Sequence, residues 1–491
     1  MKDILKIWCL VLVVSIAAGL SSCSNDRGFS IDPNHKLTFS TDTVAFDTLF
    51  TEVSSATQIF LIYNRNKADL RIAHAALMGG EDSPYRVNVD GLSGTTFDDL
   101  ALRGGDSMYV FVEATIDPRG QNDPFEVYDA LQFTLESGVT QQVIFSASGQ
   151  DATVMRSMVI TDETTLTAAR PYLIYDSLRV EQGATLRMEP GTRLYFANKV
   201  ELQVHGRIEA VGTSDAPIVF RGARTDRMFS YLPYDRLSAQ WGGITLHESS
   251  TNNIFTHCDI HSGTYGLRVR SGDTEENKIE MHNSQIHNVD EDALELTQCK
   301  ALFTNCLFTN AGEHCVNILG GKMDFVHCTM ANFYPWKSRQ GVAVNIANNL
   351  AEEANTAYPL LGANFINCII TGSKSDELTT NIIEKTDTED WTEYSKYTFK
   401  HSLINSWKAA IEPNEQHFIN IVWENKDNAA YGQSNFRGID HENFIYDFHL
   451  NALSIARGIG TNDYPNPLPC DKDEQARTTE AIDAGCYQYV E

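Results

Sequence analysis

The residues best suited to chemistry lie in one run, His287-Asn288-Val289-Asp290-Glu291-Asp292, with His314 further along. Adjacent carboxylates beside an imidazole could supply the acid and base of a glycoside hydrolase, or the proton-abstracting base of a lyase. Asp290, Asp292 and His314 are therefore the catalytic candidates. A plainer reading stands beside this one. The run aligns with Gly263-Thr264-Tyr265 and Gly312-Glu313-His314, which makes it a turn, and acidic turns are ordinarily just solvated. A second group, Tyr334, Trp336, Lys337 and Arg339, joins aromatic surface to positive charge and could stack on a sugar ring. It also reads as an ordinary loop. Zinc, P-loop and nucleophile-elbow motifs are absent, so neither a cofactor nor a metal is expected.

These residues sit in a repeat. A tetrad recurs as His257-Cys258-Asp259-Ile260, Asn283-Ser284-Gln285-Ile286, Asn305-Cys306-Leu307-Phe308, His327-Cys328-Thr329-Met330, Asn367-Cys368-Ile369-Ile370 and His401-Ser402-Leu403-Ile404. The shortest spacing is 22 residues, and insertions account for the longer gaps. A second column follows at Leu267/Val269, Leu294/Leu296, Val316/Ile318 and Val342/Val344. Such a period marks a solenoid, in which stacked coils bury a face that no coil can bury alone. Side chains alternate along a strand, so the Cys/Ser position and the residue two places on share the inner face. The preceding His or Asn faces out or forms a turn. Cys258, Cys306, Cys328 and Cys368 could ligate a metal, but Ser284 and Ser402 share their column. An inward ladder of small side chains is the expectation.

From Pro171-Tyr172-Leu173-Ile174-Tyr175 through the Gly183-Ala184-Thr185-Leu186 and Pro190-Gly191-Thr192 turns, the chain resembles right-handed parallel β-helices of bacterial surface proteins. Gln240-Trp241-Gly242-Gly243-Ile244 carries the same likeness. The end, Ile482-Asp483-Ala484-Gly485-Cys486-Tyr487, is similar to a closing segment of secreted β-helix proteins, although Ser454-Ile455-Ala456-Arg457 departs from its usual form. The resemblance implies a right-handed parallel β-helix over 151–491 including its end caps, with Ala152–Tyr175 as the first cap. Enzymes on that scaffold work in a groove along one outer sheet. The Asp-dyad and Gly-His-Gly signatures of its pectin hydrolases are missing here.

Residues 36–150 read differently. Short alternating strands, such as Thr57–Tyr63 and Met108–Ala114, are separated by Gly79-Gly80, Asp90-Gly91 and Gly104-Gly105. About seven strands in such a length suggest an Ig-like β-sandwich, here without cysteine. The expected fold class is thus all-β: an N-terminal Ig-like β-sandwich, then a right-handed parallel β-helix with a C-terminal cap.

At the N-terminus, Lys2 and Lys6 precede an apolar run from Ile7 to Gly19. The run is too short for a membrane span of about 20 residues and suits a signal peptide over 1–22. Leu20-Ser21-Ser22-Cys23 resembles the lipobox of bacterial lipoproteins. The resemblance implies that Cys23 becomes a lipidated N-terminus (palmitate among its acyl chains), anchoring the protein in the outer membrane, at the cell surface or facing the periplasm. Residues 23–35 form a tether. Outside the cytoplasm cysteines oxidise, so Cys470 and Cys486 in the closing segment are disulfide candidates. Cys299 and Cys315 are unassigned. The net charge of -27 argues against nucleic acid as a partner.

The functional expectation is a surface lipoprotein whose β-helix binds a glycan or a protein partner without catalysis. A polysaccharide-degrading enzyme and a purely structural surface component are the alternatives. The inserts at about 224–240, 331–342 and 349–362, rich in aromatics, are expected to line one binding side.

Overall fold

A computed structural model of the chain describes residues 28–350, 356–386, 389–411, 413–425, 427, 431–478 and 480–491. The expected signal peptide, Cys23 and the start of the tether lie outside the described residues, as do 351–355 of the third insert. Two compact units emerge, divided at Gly149/Gln150. One runs through Asp117 and resumes at Phe125–Gly149. The other comprises Pro118–Pro124 and Gln150–Glu491. The excursion 118–124 belongs to the second unit because Asp151 accepts the Gln121 N–H at 2.9 Å and Gln150 donates to the Asn122 carbonyl.

The first unit is a sandwich of two five-stranded sheets. Ten strands replace the expected seven because short ones, such as Thr38–Phe39 and Leu92–Gly94, pair at the edges. Alternation is clean: Met108, Val110, Val112 and Ala114 are buried while Tyr109 and Phe111 face out. Phe60, Tyr85, Phe133 and Phe145 fill the core.

The second unit is a parallel β-helix with three faces. Two merge into one 18-stranded sheet and the third forms a 10-stranded sheet. The strands Cys258–His261, Gln285–Val289, Leu307–Ala311, Thr329–Asn332, Ile369–Gly372 and Leu403–Ile404 stack in parallel along one face, called here the A face. Inside it, Cys258, Ser284, Cys306, Cys328, Cys368 and Ser402 are all buried, as the ladder reading requires. A second interior ladder stacks Phe303, Phe325 and Phe365 at 4.7 Å, near the spacing between coils.

The recurrent His or Asn is a one-residue corner. His257, Asn283, Asn305, His327, Asn367 and His401 all have φ between 47° and 55°. Asn and His are among the side chains that tolerate this left-handed region, which explains their recurrence.

Two expectations need correction. The second column continues Val316/Ile318 with Val344/Ile346, not Val342/Val344. A slip of two residues preserves inward–outward alternation, so the pattern alone cannot detect it. Cys470 and Cys486 are free thiols. The Cys470 carbonyl is held by Asn305, and the Cys486 N–H by Thr329, so each is pinned to its own partner. The segment expected to cap the start contains a strand, Thr153–Ile160, in parallel register with Tyr172–Val180.

The C-terminal cap is laid along a flank. Outward-facing residues on the A face run in register as Asp259, Gln285, Leu307, Thr329, Ile369, Leu403 and Val422. The row turns largely apolar at Leu307. There Leu307, Ile369 and Leu403 pack with Phe436, Phe448, Leu450 and Cys486 of the closing segment. Burying each large side chain contributes roughly 1.5–3 kcal/mol. The segment also bonds to the corner residues, through Asn367 to Thr461 and through Arg477 to Asn305.

Candidate functional site

The run 287–292 sits where the A face turns into the next face. Asp290 is held at both oxygens: Tyr334 Oη donates to Oδ1 at 2.9 Å and Lys337 Nζ lies 2.8 Å from Oδ2. Asp292 is buried. Its Oδ1 accepts the His314 N–H at 2.9 Å and faces His314 Nδ1 at 2.8 Å, and its Oδ2 accepts from Asn317 at 2.7 Å. Asp292 and His314 thus meet as foreseen, but as a braced turn whose carboxylate oxygens are all engaged. Burial, with the charge of Asp292 behind it, raises the proton affinity of the adjoining Glu313.

The proposed ligand loop divides. Arg339 is buried and makes a two-pronged bond to the buried Glu377, at 2.9 and 2.5 Å; it cannot meet a ligand from solution. Tyr334 is likewise buried, bonded to Ser238 at 2.8 Å as well as to Asp290. Burial pushes its hydroxyl well up. Trp336 stacks on Phe444 with centroids 4.0 Å apart. Only Lys337 keeps substantial exposure, with its ammonium on Asp290. The loop is a frame, and its residues bind the protein itself.

What it frames was missed in the sequence. The hairpin Phe436–Asp440 and Ile445–Leu450 reaches over the A face, and Arg236 from the first insert donates to the Asn443 carbonyl at its tip. Beneath lies a cavity of about 220 Å3. Its floor carries Gln285, His287, Thr309 and Asn310 beside the apolar Leu307, and its roof carries Phe444, Tyr446 and Phe448. Asn310 is buried, and its Oδ1 has no hydrogen-bond partner, although an unmet acceptor costs about 1–3 kcal/mol. His287 Nε2 lies 3.0 Å from Asp259 Oδ1, which His261 Nδ1 approaches at the same distance. Burial disfavours the charge on Asp259, but the two imidazoles prevail and hold its carboxyl well below the usual range. Burial lowers the proton affinity of His261 against the pull of Asp259. A legible signal existed: Asp259 and His261 share one strand face, and His287 follows one coil later.

A larger depression, about 580 Å3, lies on the first unit and includes Arg86, Glu81, Phe111 and Glu113 in its lining. The cavity on the A face differs from it in carrying an imidazole, His287, in its lining.

No family model matches the chain. The chain is 32% identical to Protein bark beetle of Drosophila melanogaster over 94 residues, which is 19% of this chain and 3% of that protein. The chain therefore spans a small fraction of that relative's length. Among solved structures, a PapD-like domain of human CEP192 shares 15% identity over 27% of this chain and 96% of its own, with a TM-score of 0.17. A family 123 glycoside hydrolase from Clostridium perfringens shares 6% identity over 23% of this chain and 25% of its own, with a TM-score of 0.17. A protein of unknown function from Porphyromonas gingivalis shares 13% identity over 27% of this chain and 58% of its own, with a TM-score of 0.18.

Proposed function

We propose that this is an outer-membrane lipoprotein, anchored through Cys23, whose β-helix binds a glycan in the cavity on the A face. One observation carries the reading: amide, hydroxyl and imidazole groups on the floor oppose aromatic rings on the roof. Sugars are bound in that manner, with ring faces against aromatics and hydroxyls on fixed polar groups. A glycan array probed with the full chain in detergent tests it. Tyr446→Ala should weaken binding about 10-fold. Binding to no glycan, or equal binding by the variant, would overturn the reading.

The catalytic alternative has one observation in its favour: His287, which lines the cavity, is paired with Asp259 behind it. Incubation with neutral and acidic polysaccharides, scored for new reducing ends or unsaturated products, decides between binding and cleavage.

A further inference from the structure

Strand Cys258–His261 carries Asp259 and His261 two residues apart, so both side chains leave the same face. The next coil sets His287 directly opposite His261 in parallel register. Asp259 Oδ1 is 3.0 Å from His261 Nδ1 and 3.0 Å from His287 Nε2. One ligand atom from each residue falls within 4.8 Å of the other two. A tetrahedral ion with bonds of about 2.0–2.1 Å separates its ligand atoms by about 3.3 Å. Two edges of the triangle are thus close to the required length, on a backbone that hydrogen bonds between coils already hold rigid.

We propose that Asp259, His261 and His287 bind a divalent first-row transition ion of the zinc class, with an open coordination position toward the cavity that His287 lines. Two imidazoles and one carboxylate suit such an ion, whereas magnesium and calcium want oxygen alone. The cluster also has unused bonding capacity. Among the described residues, Asp259 Oδ2, His261 Nε2 and His287 Nδ1 have no hydrogen-bond partner. Each ring can therefore move its proton to the far nitrogen and free the near one for coordination. The next side chain along the row, Arg221, would repel a cation, but it donates to Asp235 at 3.1 Å.

The other grouping of this kind, Asp292, Glu313 and His314, is as compact. Its central carboxylate is already saturated by backbone, imidazole and amide donors, and the Lys337 ammonium pairs with Asp290 in the same turn. The ion is therefore assigned to the first cluster.

The site shares a wall with the proposed glycan cavity, yet its test needs no glycan. Untagged full chain in detergent is stripped with a chelator and titrated calorimetrically with Zn(II). About one equivalent should bind. Asp259→Asn and His287→Gln should each weaken binding more than about 100-fold, beyond the 10–100-fold typical of outer partners. His282→Gln, on another face, should bind as the unaltered chain does. Crystals of the unaltered chain grown with Zn(II) give a readout independent of any variant: an anomalous-scattering peak among the three side chains. No peak there, a peak at Asp292 and His314 instead, or full-strength binding by His287→Gln would overturn the proposal. Glycan binding that fails while zinc binding succeeds would count against the proposed function alone.

Discussion

Arg339 illustrates how much a side chain's role depends on a partner distant in sequence. Its charge reads as a surface feature of an aromatic loop, yet its guanidinium is buried on Glu377, which also accepts the backbone N–H groups of Ala343 and Lys374. Removing the cation would leave a buried carboxylate without its counter-charge. Arg339→Met should therefore cost about 3–5 kcal/mol of stability, measured by urea unfolding. Adding Glu377→Gln should recover much of that loss, because a neutral amide is far cheaper to bury. A single-variant loss below about 1 kcal/mol, the range of exposed pairs, would mean that the pair is solvated. The same distinction governs the catalytic candidates. Asp292 and His314 meet, whereas Asp290 is held by Tyr334 and Lys337. No sequence pattern reveals that Tyr334, Lys337 and Asn317 already occupy the carboxylates.

The strands and corners were legible because each is dictated locally and then repeated. An inward Cys or Ser, an apolar residue two places on and a left-handed His or Asn recur in every tetrad. The closing segment repeats nothing, so its course along the flank had no periodic signal. It shows instead in the outward row, where Leu307, Ile369 and Leu403 would otherwise be exposed. That segment is tied down partly by protons. The Glu424 carboxyl accepts from Thr371 at 2.8 Å and from Asn435, at the start of the segment, at 2.7 Å; burial pushes it up to about 7. An unfolded Glu titrates near 4.3, so between about pH 4.3 and 7 the native state holds a proton that the unfolded chain has released. The associated stability is full below about pH 4.3 and is lost as pH rises through about 7. His449 acts with the same sign: bonds to Asp473 and Asp447 raise its proton affinity. Hydrogen exchange over 436–491 should therefore speed up from pH 5.5 to pH 8, after correction for intrinsic rates, relative to the strands of the β-helix. Glu424→Gln should flatten much of that difference. An unchanged pH response in the variant would remove Glu424 as the cause.

For the whole molecule, charge and architecture bear on where the protein is held. A net charge of -27 gives the chain no attraction to anionic phospholipid. No helix of the described residues is long and apolar enough to cross a membrane. Most large apolar side chains of the β-helix lie in a continuous interior or under the flank segment, while Met228, Phe229, Tyr231 and Trp407 stay exposed. On the proposed reading, retention at the membrane then falls to the acyl chains on Cys23, and stable anchoring takes two lipid signals. Cys23→Ser should abolish incorporation of labelled palmitate and move the protein from the membrane fraction to the soluble one. The shift should occur at low salt as fully as at high salt, since no basic patch is proposed to re-adsorb it. Thermal unfolding of the variant should match that of the unaltered chain, because the β-sandwich and β-helix lie wholly downstream of the substitution. A variant that stays with the membrane unlabelled would sink the lipid anchor and point to a protein partner embedded there.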